Sequence, residues 1–160
     1  MPIVGNIIVD TREAKPYNFE LKPPSGFAVG ELIEQGLKAG DYTLEGYSDP
    51  SAGPSIIIER KGSFEEFLGN IGKHWERFQR ELEKLEPFTI KKIVIEDDLK
   101  TAYGRYKKTK FFNFPPSYIL KRISEIEMIY GVTTIFVTNR TYGQQYVLNL
   151  FKQFLITHGE

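Results

Sequence analysis

IIIERKGSFE, residues 56–65, changes character twice within a short span. Ile56, Ile57 and Ile58 are β-branched and apolar, the composition of a strand buried on both faces. Side chains alternate along a strand, so Glu59 and Lys61 share one face and Arg60 takes the other. A carboxylate and an ammonium then meet at the end of a buried strand. Gly62 breaks the strand, and Ser63 with Glu66 three residues on has the pattern of a capping box that opens a helix. Two readings fit these residues. Glu59 can hold a hard divalent cation with Lys61 beside its water, or the two can form a surface ion pair that closes a strand.

Working backward, residues 42–47 (YTLEGY) alternate as a short strand, and Gly40-Asp41 stand immediately before it. Residues 48–55 connect it to the Ile56 strand, so the two strands are predicted to form a hairpin that brings Asp41 toward Glu59 and Lys61. Residues 28–38 carry Leu32, Ile33 and Leu37, read as a helix that Gly40 ends. Residues 15–26, with three prolines, are loop. Residues 3–9 (IVGNIIV) are a buried strand running out into Asp10-Thr11-Arg12-Glu13, charges at the strand end where sites gather in open α/β sheets.

Working forward, Leu68, Ile71, Trp75, Phe78, Leu82 and Leu85 step by three and four from Ser63 to about Leu85, with interruption near Gly69 and Gly72. Trp75 and Phe78 sit on this stripe and are read as core, and His74 as a surface histidine. Residues 89–96 form a further strand ending in Glu96-Asp97-Asp98. A helix over 117–130, a strand over 132–138 and a last helix capped by Asn139 follow. That last helix is given an apolar stripe of Tyr142, Tyr146, Leu150, Phe151, Phe154 and Leu155. The predicted order is β-α-β-β-α-β-α-β-α, an α/β fold with a mixed central sheet and helices on both sides.

From Leu99 to Ser124 there is no acid, and the segment is read as irregular as far as Ser117. Lys100, Arg105, Lys107, Lys108 and Lys110 interleave with Tyr103, Tyr106, Phe111, Phe112 and Phe114. That pattern suits contact with nucleic-acid phosphates and stacking on bases; it also suits a solvated basic loop whose aromatics pack back on the domain.

The whole chain of 160 residues suits one domain, and 41% hydrophobic residues suffice for a core. There is no cysteine, which excludes disulfide frameworks and cysteine-ligated zinc. Basic and acidic residues both number 21, so net charge indicates no partner. No apolar run approaches the roughly 20 residues of a membrane span, and no signal pattern opens the chain, so an intracellular protein away from membranes is expected.

Asp10, Asp41 and Glu59 are thus candidates for one acidic site, with Lys61 two residues beyond. Clustered carboxylates repel unless a cation joins them, and oxygen-only ligands favour Mg²⁺ or Mn²⁺. Gly40-Asp41, a spacer, then Glu59-Arg60-Lys61 with an acid at Glu65, resembles the GD…ERKxxxD signature of XPF-type nuclease domains in the restriction-endonuclease-like PD-(D/E)xK superfamily. Asp10-Thr11-Arg12-Glu13 resembles that family's opening motif, and Arg77-Phe78…Glu81-Leu82 its helix after the ERK strand.

The resemblance implies a restriction-endonuclease-like fold and a metal-dependent DNA endonuclease, acting on branched or flapped DNA in repair or recombination. Asp41 and Glu59 are then metal ligands, Lys61 lies near the attacking water and Asp10 at the same site, with Glu13 and Arg60 as additional positions. Glu65 stands where the family usually has Asp. Residues 1–160 are expected to be a single nuclease domain without a helix-hairpin-helix or helicase domain, and a homodimer or partner protein is in keeping with the family. The competing readings are a non-catalytic DNA-binding scaffold and an exonuclease.

Overall fold

The computed structural model describes residues 1–107 and 114–159. Among these residues six strands form one mixed sheet. They are β1 (Ile3–Asp10), β2 (Phe27–Gln35), β3 (Tyr42–Leu44), β4 (Ile56–Lys61), β5 (Ile90–Ile95) and β6 (Thr133–Phe136). The spatial order is β2-β1-β3-β4-β5-β6. The β3 strand is antiparallel to both neighbours, and every other pair is parallel. The three isoleucines of β4 therefore lie inside the sheet and are at most 1% exposed, each burial stabilising the fold by roughly 1.5–3 kcal/mol.

Alternation along β4 and β5 divides the core into two layers. Ile57, Ile93 and Ile95 face α1 (Phe64–Ile71), α2 (Trp75–Leu85), α3 (Leu99–Tyr106) and α4 (Pro116–Tyr130). Ile56, Ile58 and Val94 face α5 (Arg140–His158), together with Tyr17, Phe19 and Tyr42. Helices thus cover both faces, as the hydrophobic pattern predicts.

Helix starts follow local chemistry. The Ser63 hydroxyl accepts the Glu66 N–H, and the Glu66 carboxylate accepts the Gly62 N–H. Asn139 caps α5 by accepting the Tyr142 N–H. The buried stripe of α5 is shifted from the expected one. Val147, Leu148, Phe151 and Phe154 are inside, whereas Tyr142 is exposed.

Two elements differ from the sequence reading. Residues 28–38 are not a helix; most of them belong to the edge strand β2. The pairing steps from Gly5–Val29 to Ile7–Leu32, so β2 carries one extra residue. The Asn6 carboxamide fills the gap by accepting the Glu31 N–H, and a side chain on Gly30 would collide with it. The bulge shifts the alternation by one position. Beyond it Leu32 and Ile33 pair with Ile7 and Ile8 as successive strand residues, and the spacing of Leu32, Ile33 and Leu37 imitates a helix only because Leu37 lies in the loop after the strand. The second difference is α3, which occupies the start of a segment read as irregular. Asp98 caps it through the Thr101 N–H, and Ala102 and Tyr106 are buried one turn apart.

Candidate active site

Three chain segments converge at the C-terminal end of β4. The β3–β4 hairpin pairs Tyr42 with Ile58, and the Asp41 N–H donates to the Ile58 carbonyl at 2.8 Å. Asp41 consequently stands level with Glu59. Its carboxylate accepts the Arg60 N–H at 2.7 Å, and its carbonyl accepts the Asp10 N–H at 2.8 Å. Gly40 makes this approach feasible. Its φ is +73°, and a Cβ there would run into the Ile57 side chain and the Ile58 carbonyl.

Glu59 and Lys61 share the face that alternation assigns them, with Nζ of Lys61 3.4 Å from the Glu59 carboxylate. Glu66 stands 3.9 Å from the same ammonium, which lies 5.2 Å from the centre of the Phe78 ring. The Lys61 side chain is 6% exposed and that of Glu59 16%. Asp41 and Glu59 line a cleft of about 250 Å³ with Asp10, Glu81, Lys38 and Lys84. Burial and then the Glu59 charge push the Asp41 carboxyl up to about 8, against the opposing Arg60 N–H. Burial also raises Glu59; Lys61 opposes that shift and Glu81 adds to it.

Arg60 points to the opposite face. Its Nε and Nη2 grip Glu13 at 2.9 and 3.0 Å, and Nη1 grips Glu96 at 2.9 Å. All three side chains are 7–8% exposed. Burial alone would lower the pKa of Arg60, but the hydrogen bonds and charge of Glu13, then Glu96, more than offset this and raise it. The Tyr17 hydroxyl donates to Glu96 at 2.5 Å. Burial first, and Glu96 second, raise its pKa.

The remaining sequence candidates divide by position. Asp10 lines the cleft, but both of its oxygens are engaged, one by the Leu37 N–H at 2.8 Å and the other by Arg12 at 3.0 Å. Glu13 is held in the Arg60 network. Glu65 pairs with Arg105 at 3.0 Å, and Arg105 also reaches Asp97 at 2.7 Å. Lys100 and Lys107 are exposed, the latter 5.1 Å from the centre of the Tyr103 ring. Tyr103 and Tyr106 pack onto the helical layer, as the second reading of that segment has it. Lys108, Lys110, Phe111 and Phe112 lie outside the described residues.

Sequence reasoning passed over Glu66, Glu81 and Glu96 as charges near the site. The Glu66 contact follows from the capping box, and Glu81 lies one turn after Arg77 on α2. Nothing local in the sequence pairs Glu96 with Arg60.

With this geometry established, comparison with known proteins identifies the family. The ERCC4 domain model matches residues 9–150. The chain belongs to the ERCC4 domain family. This is the XPF-type nuclease family that the Gly40-Asp41 and Glu59-Arg60-Lys61 motifs resemble. XPF from Aeropyrum pernix, solved in complex with DNA, is 20% identical with a TM-score of 0.57 over 96% of this chain and 66% of that one. XPF from Aeropyrum pernix in a second structure is 19% identical, with a TM-score of 0.59 over 97% and 62%. The ERCC4 chain described here spans somewhat under two thirds of those chains. Both share the restriction-endonuclease-like mixed sheet. No curated protein is a significant match. Among the described residues no helix is long and apolar enough to cross a membrane.

Proposed function

We propose that this ERCC4 domain is a divalent-metal-dependent DNA endonuclease that hydrolyses phosphodiester bonds, with branched or flapped DNA in repair or recombination as its substrate class. The observation that carries this reading is the meeting of Asp41 and Glu59 across the β3–β4 hairpin, with Lys61 3.4 Å from Glu59. Among the described residues no three acids already form a ligand set. The donor chemistry nevertheless suits Mg²⁺ or Mn²⁺, since Mg²⁺ commonly keeps several waters and binds through one or two carboxylates. Two buried, mutually repelling carboxylates are also relieved by a cation. Asp41 and Glu59 would hold the ion, which supplies Lewis-acid neutralisation of charge at the phosphate.

Lys61 is confined by Glu59, Glu66 and the Phe78 ring, so its ammonium is held beside the Glu59 carboxylate. It orients a water or donates to a phosphate oxygen. Lys61→Ala is expected to lower turnover by about 10²–10³-fold, the size typical of losing one preorganised donor, with little change in DNA affinity. A large affinity loss at an unchanged single-turnover rate would make Lys61 a phosphate anchor instead.

DNA as partner is supported by the DNA complex of a protein with the same fold. Lys100 and Lys107 of α3 and its end are exposed cations for phosphates; Arg105 would have to leave Glu65 and Asp97 to join them. Replacing Lys100 and Lys107 together should lower the salt slope of DNA binding by about one per lost contact. An unchanged slope makes them solvated surface.

The functional test uses closed-circular and linear DNA with Mg²⁺. Cutting of the closed circle supports an endonuclease. Degradation only from ends supports an exonuclease, and binding without cutting supports a scaffold.

A further inference from the structure

A second concavity, of about 470 Å³, opens at the turn between α1 and α2 and is lined by Lys73, Trp75, Glu76, Arg77, Arg80 and Arg122. Lys73, Arg77 and Arg80 are exposed, and among the described residues none of them forms an ion pair. Arg77 does not pair with Glu81, nor Arg80 with Glu76, although each pair has the spacing that allows it. Arg122 is instead built in. It stacks 4.1 Å from the centre of the Trp75 ring, donates to the Ile71 carbonyl at 3.3 Å and is gripped by Glu125 at 2.7 Å. Among the described residues no side chain caps the start of α2, so the positive end of that helix adds to the same field.

The position of this patch matters as much as its charge. At 100° per residue, Arg77, Arg80, Glu81 and Lys84 fall on one side of α2, away from the buried Phe78, Leu82 and Leu85. Arg77 and Arg80 line the concavity, while Glu81 and Lys84 line the cleft of Asp41 and Glu59. A rise of 1.5 Å per residue puts Arg77 about 6–10.5 Å, and Arg80 about 1.5–6 Å, along the axis from Glu81 and Lys84. One strand of a duplex advances about 3.4 Å per phosphate, so these intervals span up to about three phosphates.

We propose that Lys73, Arg77 and Arg80 form a phosphate-binding site for the backbone of a DNA strand within about three nucleotides of the phosphate in the Asp41–Glu59 cleft. This rests on the nuclease reading for the position of the cut, and on the charge pattern for the binding itself. None of the described α3 cations lines this concavity, and α2 forms the track between it and the cleft.

The test measures duplex affinity against salt, using an oligonucleotide with hydroxyl ends and EDTA present so that nothing is cut. Arg77→Gln with Arg80→Gln should flatten the slope by about 0.9 per lost contact, about 1.8 in all. Glu76→Lys adds a cation to the same concavity and should steepen the slope by about 0.9 and tighten binding. If the double variant does not fold, Lys73→Gln and Glu76→Lys decide between them. Wild-type slopes in these variants, or a wild-type chain that does not bind the duplex, overturn the proposal. A chain that binds with the predicted slopes but never cuts with Mg²⁺ retains the phosphate site and loses the nuclease reading. A chain that cuts while the variants keep the wild-type slope loses only the phosphate site.

Discussion

Asp41→Asn is expected to abolish DNA cleavage and, in the same protein, to stabilise the metal-free fold at pH 8. The first effect follows from removing one of two carboxylates at the cleft, and turnover should fall by about 10³-fold or more. The second follows from the raised pKa. Asp41 titrates near 8 in the folded chain, because burial and the Glu59 charge disfavour its ionised form, and near 3.9 when unfolded. Between these values the folded state binds more protons than the unfolded state. The stability contribution of Asp41 is therefore most favourable below about pH 4 and declines as pH rises toward about 8. Asparagine has no proton to lose and can still accept the Arg60 N–H, so it escapes that decline. The gain at pH 8 should be a few kcal/mol, shrinking toward zero near pH 4. Glu59→Gln should act in the same direction, because burial raises Glu59 as well. Thermal melts at both pH values, paired with single-turnover cleavage, check this. Near-normal turnover in either variant removes that residue from the active site, and equal melting temperatures at pH 8 contradict the electrostatic explanation.

Arg60→Ala should be the most damaging single change to the fold outside the aliphatic core. It leaves Glu13 and Glu96 buried without their shared cation, and breaking such an arrangement costs about 3–5 kcal/mol. For a chain of this size the melting temperature should fall by on the order of 10 °C. Arg60→Lys should recover little, because one ammonium cannot reproduce the forked grip on two carboxylates. Adding Glu13→Gln and Glu96→Gln to Arg60→Ala should recover part of the loss by removing the stranded charges. Denaturation of these three variants beside the wild type checks the ordering. An Arg60→Ala protein that melts like wild type, but has lost cleavage, would place Arg60 in the chemistry and not in the scaffold.

The active-site arrangement was legible because it depends on short-range rules. Strand alternation separates Glu59 and Lys61 from Arg60, and the hairpin returns Asp41 to the end of β4. The Ser63–Glu66 capping box then brings a second carboxylate to Lys61. What stayed hidden depends on partners distant in sequence. The β2 strand is held by its pairing with β1 and by the Asn6 side chain in its bulge, neither of which is visible in residues 28–38 alone, whose spacing imitates a helix. The engagement of Asp10 by the Leu37 N–H, and of Glu65 by Arg105, joins residues 27 and 40 positions apart. The α3 helix is a different case. Its cap at Asp98 and its Leu99, Ala102, Tyr103 and Tyr106 stripe are present in the sequence, but Gly104 interrupts them with a poor helix former, which the helix accommodates on its exposed side with open space around it.

The central claim, that Asp41 and Glu59 together hold a divalent cation, is tested most directly by calorimetric titration of Mn²⁺ into the metal-free protein at pH 7. Two buffers of different ionisation enthalpy report the protons released. Asp41 is mostly protonated at that pH, so binding should release about one proton, and affinity should rise as pH approaches 8. Both binding and proton release should disappear in Asp41→Asn and in Glu59→Gln. Mn²⁺ binding with wild-type affinity and proton release in both variants would place the metal elsewhere and contradict the site.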